Sequence, residues 1–316
     1  MPRHGRPPIV SRAVTPPPET PTAGRRIRLW IAVGIGIVVL AVVAVAVARG
    51  LRTLEPVQEF LQRYPGEYPL PKGAPVGLPA WLGWQHFFNA FLLVLVVRTG
   101  WQSRRERNPR ALWTSRRNRR RRMSLTVWTH LALDLLWIVN GVVYVVLLFA
   151  TGQWMRIVPT SWDVIPNAIS ALLQYVSFDW PTTDGWVNYN SLQQLSYFAI
   201  VFIASPLAIA TGYRMSALWP RDAQRLSRIV PFDLARAIHF PVMLVFVLFV
   251  IVHVGLVLTT GALRNLNHIY TASDEVNPVG FAIFVVSLLV IAAGWALVRP
   301  TLAAVVARRF GEVRER

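Results

Sequence analysis

Two imidazoles fourteen residues apart, His239 and His253, bracket the apolar run HFPVMLVFVLFVIVH. On an α-helix fourteen residues make just under four turns, so both rings leave about the same face, about 21 Å apart along the axis. An imidazole nitrogen is an axial ligand for haem iron, so one helix could serve two stacked haems. The residues between the pair carry no charge and no strong breaker after Pro241. Such a stretch reads as a membrane span, where an ionisable side chain marks function.

The elements that must position these rings are long and apolar. The chain has 316 residues, 54% of them hydrophobic, which is too apolar for an ordinary soluble domain. Six runs, at 29–48, 80–99, 125–150, 192–213, 238–260 and 278–298, are each long enough to cross about 30 Å of hydrocarbon. They are continuous rather than alternating, which predicts helices and not barrel strands. The organisation expected is a disordered basic tail at 1–27, an N-terminal anchor and outer segment at 28–79, a core at 80–265, and a last span with a second basic tail at 266–316. The first span resembles a signal peptide near Ala46 and Ala48, but its length and the long tail before it favour a retained anchor. A shorter apolar stretch, VIPNAISALLQYV, lies in the long connection at 151–191 and is expected to rest in the interface as a helix or lid.

Composition closes several routes. There is no cysteine, which excludes disulfides, cysteine-ligated iron–sulfur clusters, thiol nucleophiles and covalent haem attachment through a C-x-x-C-H sequence. The net charge of +18 does not point to nucleic acid, because of where it lies. Placing the N-terminus in the cytoplasm puts 27 of the 33 Lys and Arg residues in the N-tail, the 98–122 and 214–236 connections and the C-tail. Only Arg49, Arg52, Arg63, Lys72, Arg156 and Arg264 then lie outside. That asymmetry is the positive-inside rule and predicts a multi-pass protein of the cell membrane with both termini cytoplasmic. The block RRNRRRR at 116–122 then meets anionic lipid headgroups or sets the topology.

With this topology each intramembrane histidine acquires a depth. His86 falls in the outer half of an inward-running span and His130 in the inner half of an outward-running one. On the fifth span His239 is inner and His253 outer. The depths sort into an inner pair, His130 with His239, and an outer pair, His86 with His253. A single intramembrane histidine is more often a hydrogen-bonding contact or proton relay than a haem ligand, but four at two matched depths reverse that preference. Two axial nitrogens per iron leave no open position and favour electron transfer. A zinc or copper ion would find only two histidines at each level.

These pieces resemble a known family, the di-haem cytochrome b subunits of hydrogenases, formate dehydrogenases and thiosulfate reductases, together with bacterial cytochrome b561. WQHFFNAFLLVLVVRTGW, the third span with His130, VNYNSLQQLSYFAIVFIASPLAIATGY and RAIHFPVMLVFVLFVIVHVGLVL carry the likeness, which covers roughly 80–265. The resemblance implies an all-α integral membrane fold whose six transmembrane helices include a four-helix di-haem bundle. It also implies two b haems with His86, His130, His239 and His253 as axial ligands, and electron exchange between a quinone and a partner subunit of molybdopterin or hydrogenase type. The extra N-terminal span would invert the core relative to members whose first histidine-bearing span begins inside, so the direction of flow does not carry over.

Supporting residues are fewer. Arg236, three residues before His239, could pair with a haem propionate or simply anchor the helix; Arg98 and Arg214 have the same two readings, with the anchor favoured. Asp134, four residues after His130, either relays protons or bonds a free ring nitrogen, or is packing polarity. Asn89, Asn140 and Tyr144 suit hydrogen bonds between helices. The tryptophans at 81, 84, 101, 162, 180 and 186 suit an interfacial belt, and His268 is expected on an exposed loop. No phosphate-binding glycine loop, metalloprotease motif or nucleophile–base pair is present, so any chemistry beyond one-electron transfer belongs to a partner. Two alternatives stand beside this reading. One is a self-sufficient oxidoreductase taking electrons from a small donor such as superoxide to quinone. The other is a haem-free transporter or anchor.

Overall fold

The computed structural model describes residues 23–315 apart from 181–183, 221 and 223. The tail expected at 1–27 lies outside the described residues up to residue 22. In chain order the elements are α1 (Ala23–Leu51), α2 (Glu55–Arg63), α3 (Ala80–Arg105), β1 (Ala111–Ser115), β2 (Arg122–Ser124), α4 (Leu125–Ala150), α5 (Val164–Val176) and α6 (Ser191–Phe198). There follow a π-helical segment Ala199–Ala204, α7 (Ser205–Met215), α8 (Gln224–Ile229), α9 (Phe232–Thr259), α10 (Ala262–Tyr270), α11 (Val279–Leu297), α12 (Pro300–Phe310) and β3 (Gly311–Glu315). Six helical stretches, α1, α3, α4, Ser191–Met215, α9 and α11, are long and apolar enough to cross a membrane. The protein is therefore an all-α, multi-pass membrane protein, as its sequence predicts.

Local chemistry sets the ends and bends. Ser124 caps α4, its hydroxyl accepting from Val127 N at 3.2 Å. Asn190 and Gln193 form a reciprocal capping box that starts α6. The fourth span is not a regular helix. Pro206 has no N–H to donate and its ring crowds the carbonyl one turn back, and the chain just before it widens to the π pattern, where the Ser205 hydroxyl donates to Ile200 O at 2.8 Å.

Two antiparallel helix pairs, α3 with α4 and α6–α7 with α9, make the core of the bundle. Midway along it, Ala204, Val242 and Phe246 are buried, with Leu93, Trp137, Ile200, Ala208 and Ile238 packed against them. Trp137 meets Phe246 edge-on at 5.8 Å and donates to Asn89 Oδ1 at 2.7 Å. On the flank, α11 lies against α3, where Gly294 leaves room for the Phe91 ring. The first helix is almost wholly exposed along its length. It is held at its C-terminal end, where Arg49 Nε donates to Ser177 O at 3.0 Å and Arg52 bonds Ser177 and Asp179.

The two ends of the bundle differ. At the basic end an unexpected three-stranded antiparallel sheet forms in the order β2-β1-β3. The strands are short, and β1 pairs with a segment about 200 residues away, so neither alternation nor a hairpin signal announces them. Helix α12, read from sequence only as basic tail, buries Ala304 and Ala307 against Trp113 and Leu125, and Trp113 Nε1 donates to Ala307 O at 3.1 Å. The opposite end is closed by a cap of α2, the 64–79 loop, residues 153–156, α5, residues 184–190 and α10. The VIPNAISALLQYV stretch is the amphipathic α5, burying Val164, Ala168 and Ala171 and exposing Ile165, Ile169 and Leu172.

Asn267 ties α10 to α11. It is fully buried, donates to Glu275 O at 2.8 Å and Asn277 O at 3.0 Å, and accepts from Gly280 N at 2.7 Å. Replacing Asn267 by Leu strands those backbone groups at about 1–3 kcal/mol each. The expected result is faster proteolysis of the 271–278 turn, with the α3–α4 pairing unaffected in hydrogen exchange.

Candidate functional site

Two levels of histidine occupy the bundle, and each is built differently. At the basic end the same device occurs twice. Thr99, near the end of α3, donates its hydroxyl to Leu95 O at 2.8 Å and stands 3.0 Å from His130 Nδ1. Thr211, on α7, donates to Leu207 O at 2.6 Å and stands 2.9 Å from His239 Nδ1. A hydroxyl has one proton. Because each threonine directs that proton to its own helix, it accepts from the imidazole, which fixes the Nδ1–H tautomer and leaves the Nε2 lone pair free. The next residue in each helix is a glycine. A Cβ on Gly100 would lie 3.1 Å from His130 Cε1, and one on Gly212 would lie 3.2 Å from His239 Cε1. Each Thr-Gly step thus supplies one hydrogen bond and the room for one imidazole.

At the capped end the His86 and His253 rings are neighbours, with centroids 6.2 Å apart and planes inclined by 53°. Two imidazole–metal bonds of about 2 Å, with the distance from each nitrogen to its ring centre, sum to about 6 Å. That is the spacing two imidazoles would need to hold one metal ion between them. His253 stacks on Phe249 at 5.4 Å and 7°, with the Tyr197 edge at 6.0 Å. His86 meets Tyr270 edge-on at 6.3 Å. Its Nδ1 is buried without a partner among the described residues, as are Trp81 Nε1, Gln85 Oε1 and Asn140 Nδ2 nearby on α3 and α4. The capped-end level thus has polar atoms in want of partners, whereas at the basic end the Nδ1 atoms are matched.

The remaining sequence candidates divide. Asp134 is beside His130, its Oδ2 3.5 Å from Nε2, too long for a hydrogen bond. Arg236 is exposed on the second turn of α9 and makes no hydrogen bond or salt bridge among the described residues. Arg98 bonds Trp295 O and covers the Trp295 ring at 4.9 Å, which ties α3 to α11. Arg214 Nε donates to Val230 O at 2.6 Å. Both are accounted for as anchors.

One expectation is corrected. His268 is on α10 and only 6% exposed, not on an open loop, with Trp186 packed on it at 5.2 Å and filling the space beside Gly77. The reason is a polar cluster within the cap. His268 Nε2 is 2.6 Å from Asp274 Oδ1, and Arg264 binds Asp274 through two nitrogens at 2.7 and 2.8 Å. The Arg264 hydrogen bond, followed by that of His268, pulls the Asp274 carboxyl down to about 2. Sequence reasoning also passed over Arg156 as one of six outer cations, although it is 1% exposed. The repeated Thr-Gly step was visible as a dipeptide at 99–100 and 211–212, each near the basic end of a span. It was not weighed.

A family model described as prokaryotic cytochrome b561 matches residues 77–272, more than half of the chain. No curated protein and no solved structure matches it.

Gly100→Ala should force the His130 ring from its threonine and lower stability by about 1–3 kcal/mol, whereas Gly141→Ala, with nothing within 4 Å of its Cβ, should be neutral. Thermal unfolding in detergent reads both. A carboxyl with a depressed pKa keeps its stabilising effect above its ordinary value of about 3.9 and loses it as pH falls through the lowered one. The α10 contact to Asp274 should therefore survive to well below pH 4 and open near pH 2, followed by hydrogen exchange of α10. Asp274→Asn should loosen it at every pH.

Proposed function

The chain belongs to the prokaryotic cytochrome b561 family, and on that premise we propose that it carries electrons across the membrane through two b haems, between the quinone pool and a redox partner subunit. His86 with His253 holds one haem and His130 with His239 the other. The 6.2 Å spacing of the His86 and His253 rings is the observation that supports this most directly. When bound, a haem held by two imidazoles would supply one-electron ferric–ferrous chemistry with no position open to oxygen.

The protein's own part is to hold and insulate. Thr99 and Thr211 keep His130 and His239 in the tautomer that offers Nε2, the role partners behind a ligand commonly have. The apolar layer around Phe246, Val242 and Trp137 separates the two levels and excludes water, so charge moves between fixed sites without a conformational cycle. The basic end faces the cytoplasm, by the positive-inside rule, and the capped end faces out.

A reduced-minus-oxidised spectrum of the purified protein, with haem quantified per chain, tests the proposal. Two b haems per chain are expected, and none would reassign the histidines to packing or proton handling. His86→Ala and His253→Ala should each remove one haem, His130→Ala and His239→Ala the other, and His268→Ala neither. Thr99→Val or Thr211→Val should weaken haem binding at the basic end by about 10–100-fold and leave the other level unchanged.

A further inference from the structure

Of the six cations assigned to the capped side, Arg156 alone is buried. Its Nη1 donates to Gly77 O at 2.9 Å and Trp186 O at 3.1 Å, and its Nη2 to Gly185 O at 2.6 Å. These acceptors are neutral carbonyls. Among the described residues no carboxylate lies within 4 Å of the guanidinium, and Nε is buried with no partner. Desolvating a cation costs several kcal/mol unless an opposite charge offsets it, and a buried donor without an acceptor adds to that cost. A side chain serving only to clasp three carbonyls would need neither the charge nor the vacant N–H. The arrangement is that of an anion site.

Its position identifies the anion. The guanidinium lies over the Tyr189 ring at 4.6 Å. Tyr189 meets the Tyr197 edge at 5.2 Å, and Tyr197 meets His253 at 6.0 Å. Burial holds the Tyr189 phenol above its ordinary range, with the Arg156 charge opposing. Arg156 is thus linked to His253 through three successive contacts, its own with the Tyr189 ring and two between aromatic rings, on the side facing away from the bundle centre. Trp186 and the 77 and 185–186 backbone cover it from solvent, so an anion arriving from the aqueous phase has no open path. The carboxylates already inside would be those of the haem itself.

We propose that Arg156 is the counter-charge of a propionate of the haem held by His86 and His253, and that it raises the reduction potential of that haem. This rests on the two-haem reading above. A fixed positive charge in a low-dielectric setting favours the reduced, less positive iron, and the site would distinguish the two haems, since among the described residues no arginine at the basic end is buried, Arg98 and Arg214 being half-buried and Arg236 exposed.

Spectroelectrochemical titration of the purified haem-loaded protein tests this with Arg156→Gln and Arg156→Lys. In Arg156→Gln one haem should become harder to reduce by about tenfold, or about 59 mV for one electron, while the other keeps its potential. Arg156→Lys, which retains the charge but cannot span the three carbonyls, should shift it by less than half as much. Two bound haems with unchanged potentials in Arg156→Gln would overturn the proposal, as would equal loss of a haem from both variants, which marks a purely structural clasp. A wild-type potential that moves with chloride concentration, but not in Arg156→Gln, would make the occupant a free anion and also overturn it. A wild-type protein without haem would overturn the parent reading as well, so the two failures are distinguishable.

Discussion

An imidazole within a membrane span is tolerable only if its ring nitrogens have somewhere to go, because hydrocarbon offers no substitute for water. Much of this bundle follows from that requirement. Thr99 and Thr211 meet it for one nitrogen of His130 and His239, and in doing so they fix the depth at which α3 meets α4 and α7 meets α9. The glycine that follows each threonine is equally part of the solution, since a methyl group there would lift the ring from its acceptor. The remaining nitrogens, the Nε2 atoms, are the ones left free for the proposed metal.

The capped end meets the same requirement less completely. His86 Nδ1, Trp81 Nε1, Gln85 Oε1 and Asn140 Nδ2 remain without partners among the described residues, at the level where the phenols of Tyr144, Tyr189 and Tyr197 also collect. Native proteins seldom leave so many buried polar atoms unmatched in one place, and the concentration marks this level as shaped around something other than protein. The cap above it is organised by charge. Arg156 clasps Gly77, Gly185 and Trp186, while Arg264, Asp274 and His268 secure α10. Together they hold residues distant in sequence over one end of the bundle.

Which of this was legible in the sequence follows from physics. Hydropathy runs and the positive-inside rule depend on composition over twenty residues, and they gave the six spans. The register of His86, His130, His239 and His253 depends only on helix rise and span direction, so His86 and His253 could be matched before any coordinates, and they do meet. The His268 environment could not be read, because burial of that ring depends on Trp186 and Asp274 closing over it from different loops. Arg156 reads in the sequence like the five other cations on its side, because charge alone does not report burial. The sheet is hidden for a different reason: β1 and β3 are too short to signal themselves, and their pairing is long-range.

That long-range pairing orders events during synthesis. Strand β1 cannot gain its second neighbour until Gly311–Glu315 has been made, about 200 residues after Ala111, and at roughly 5–20 residues per second that interval is about 10–40 s. Throughout it the 106–124 connection has only the hairpin with β2, and Trp113 lacks the Ala307 carbonyl that later receives its indole N–H. All six spans are translated before the sheet can close. Closure therefore fastens α12 to α4 only after every membrane helix exists, so that the basic end is the last part of the molecule to be assembled.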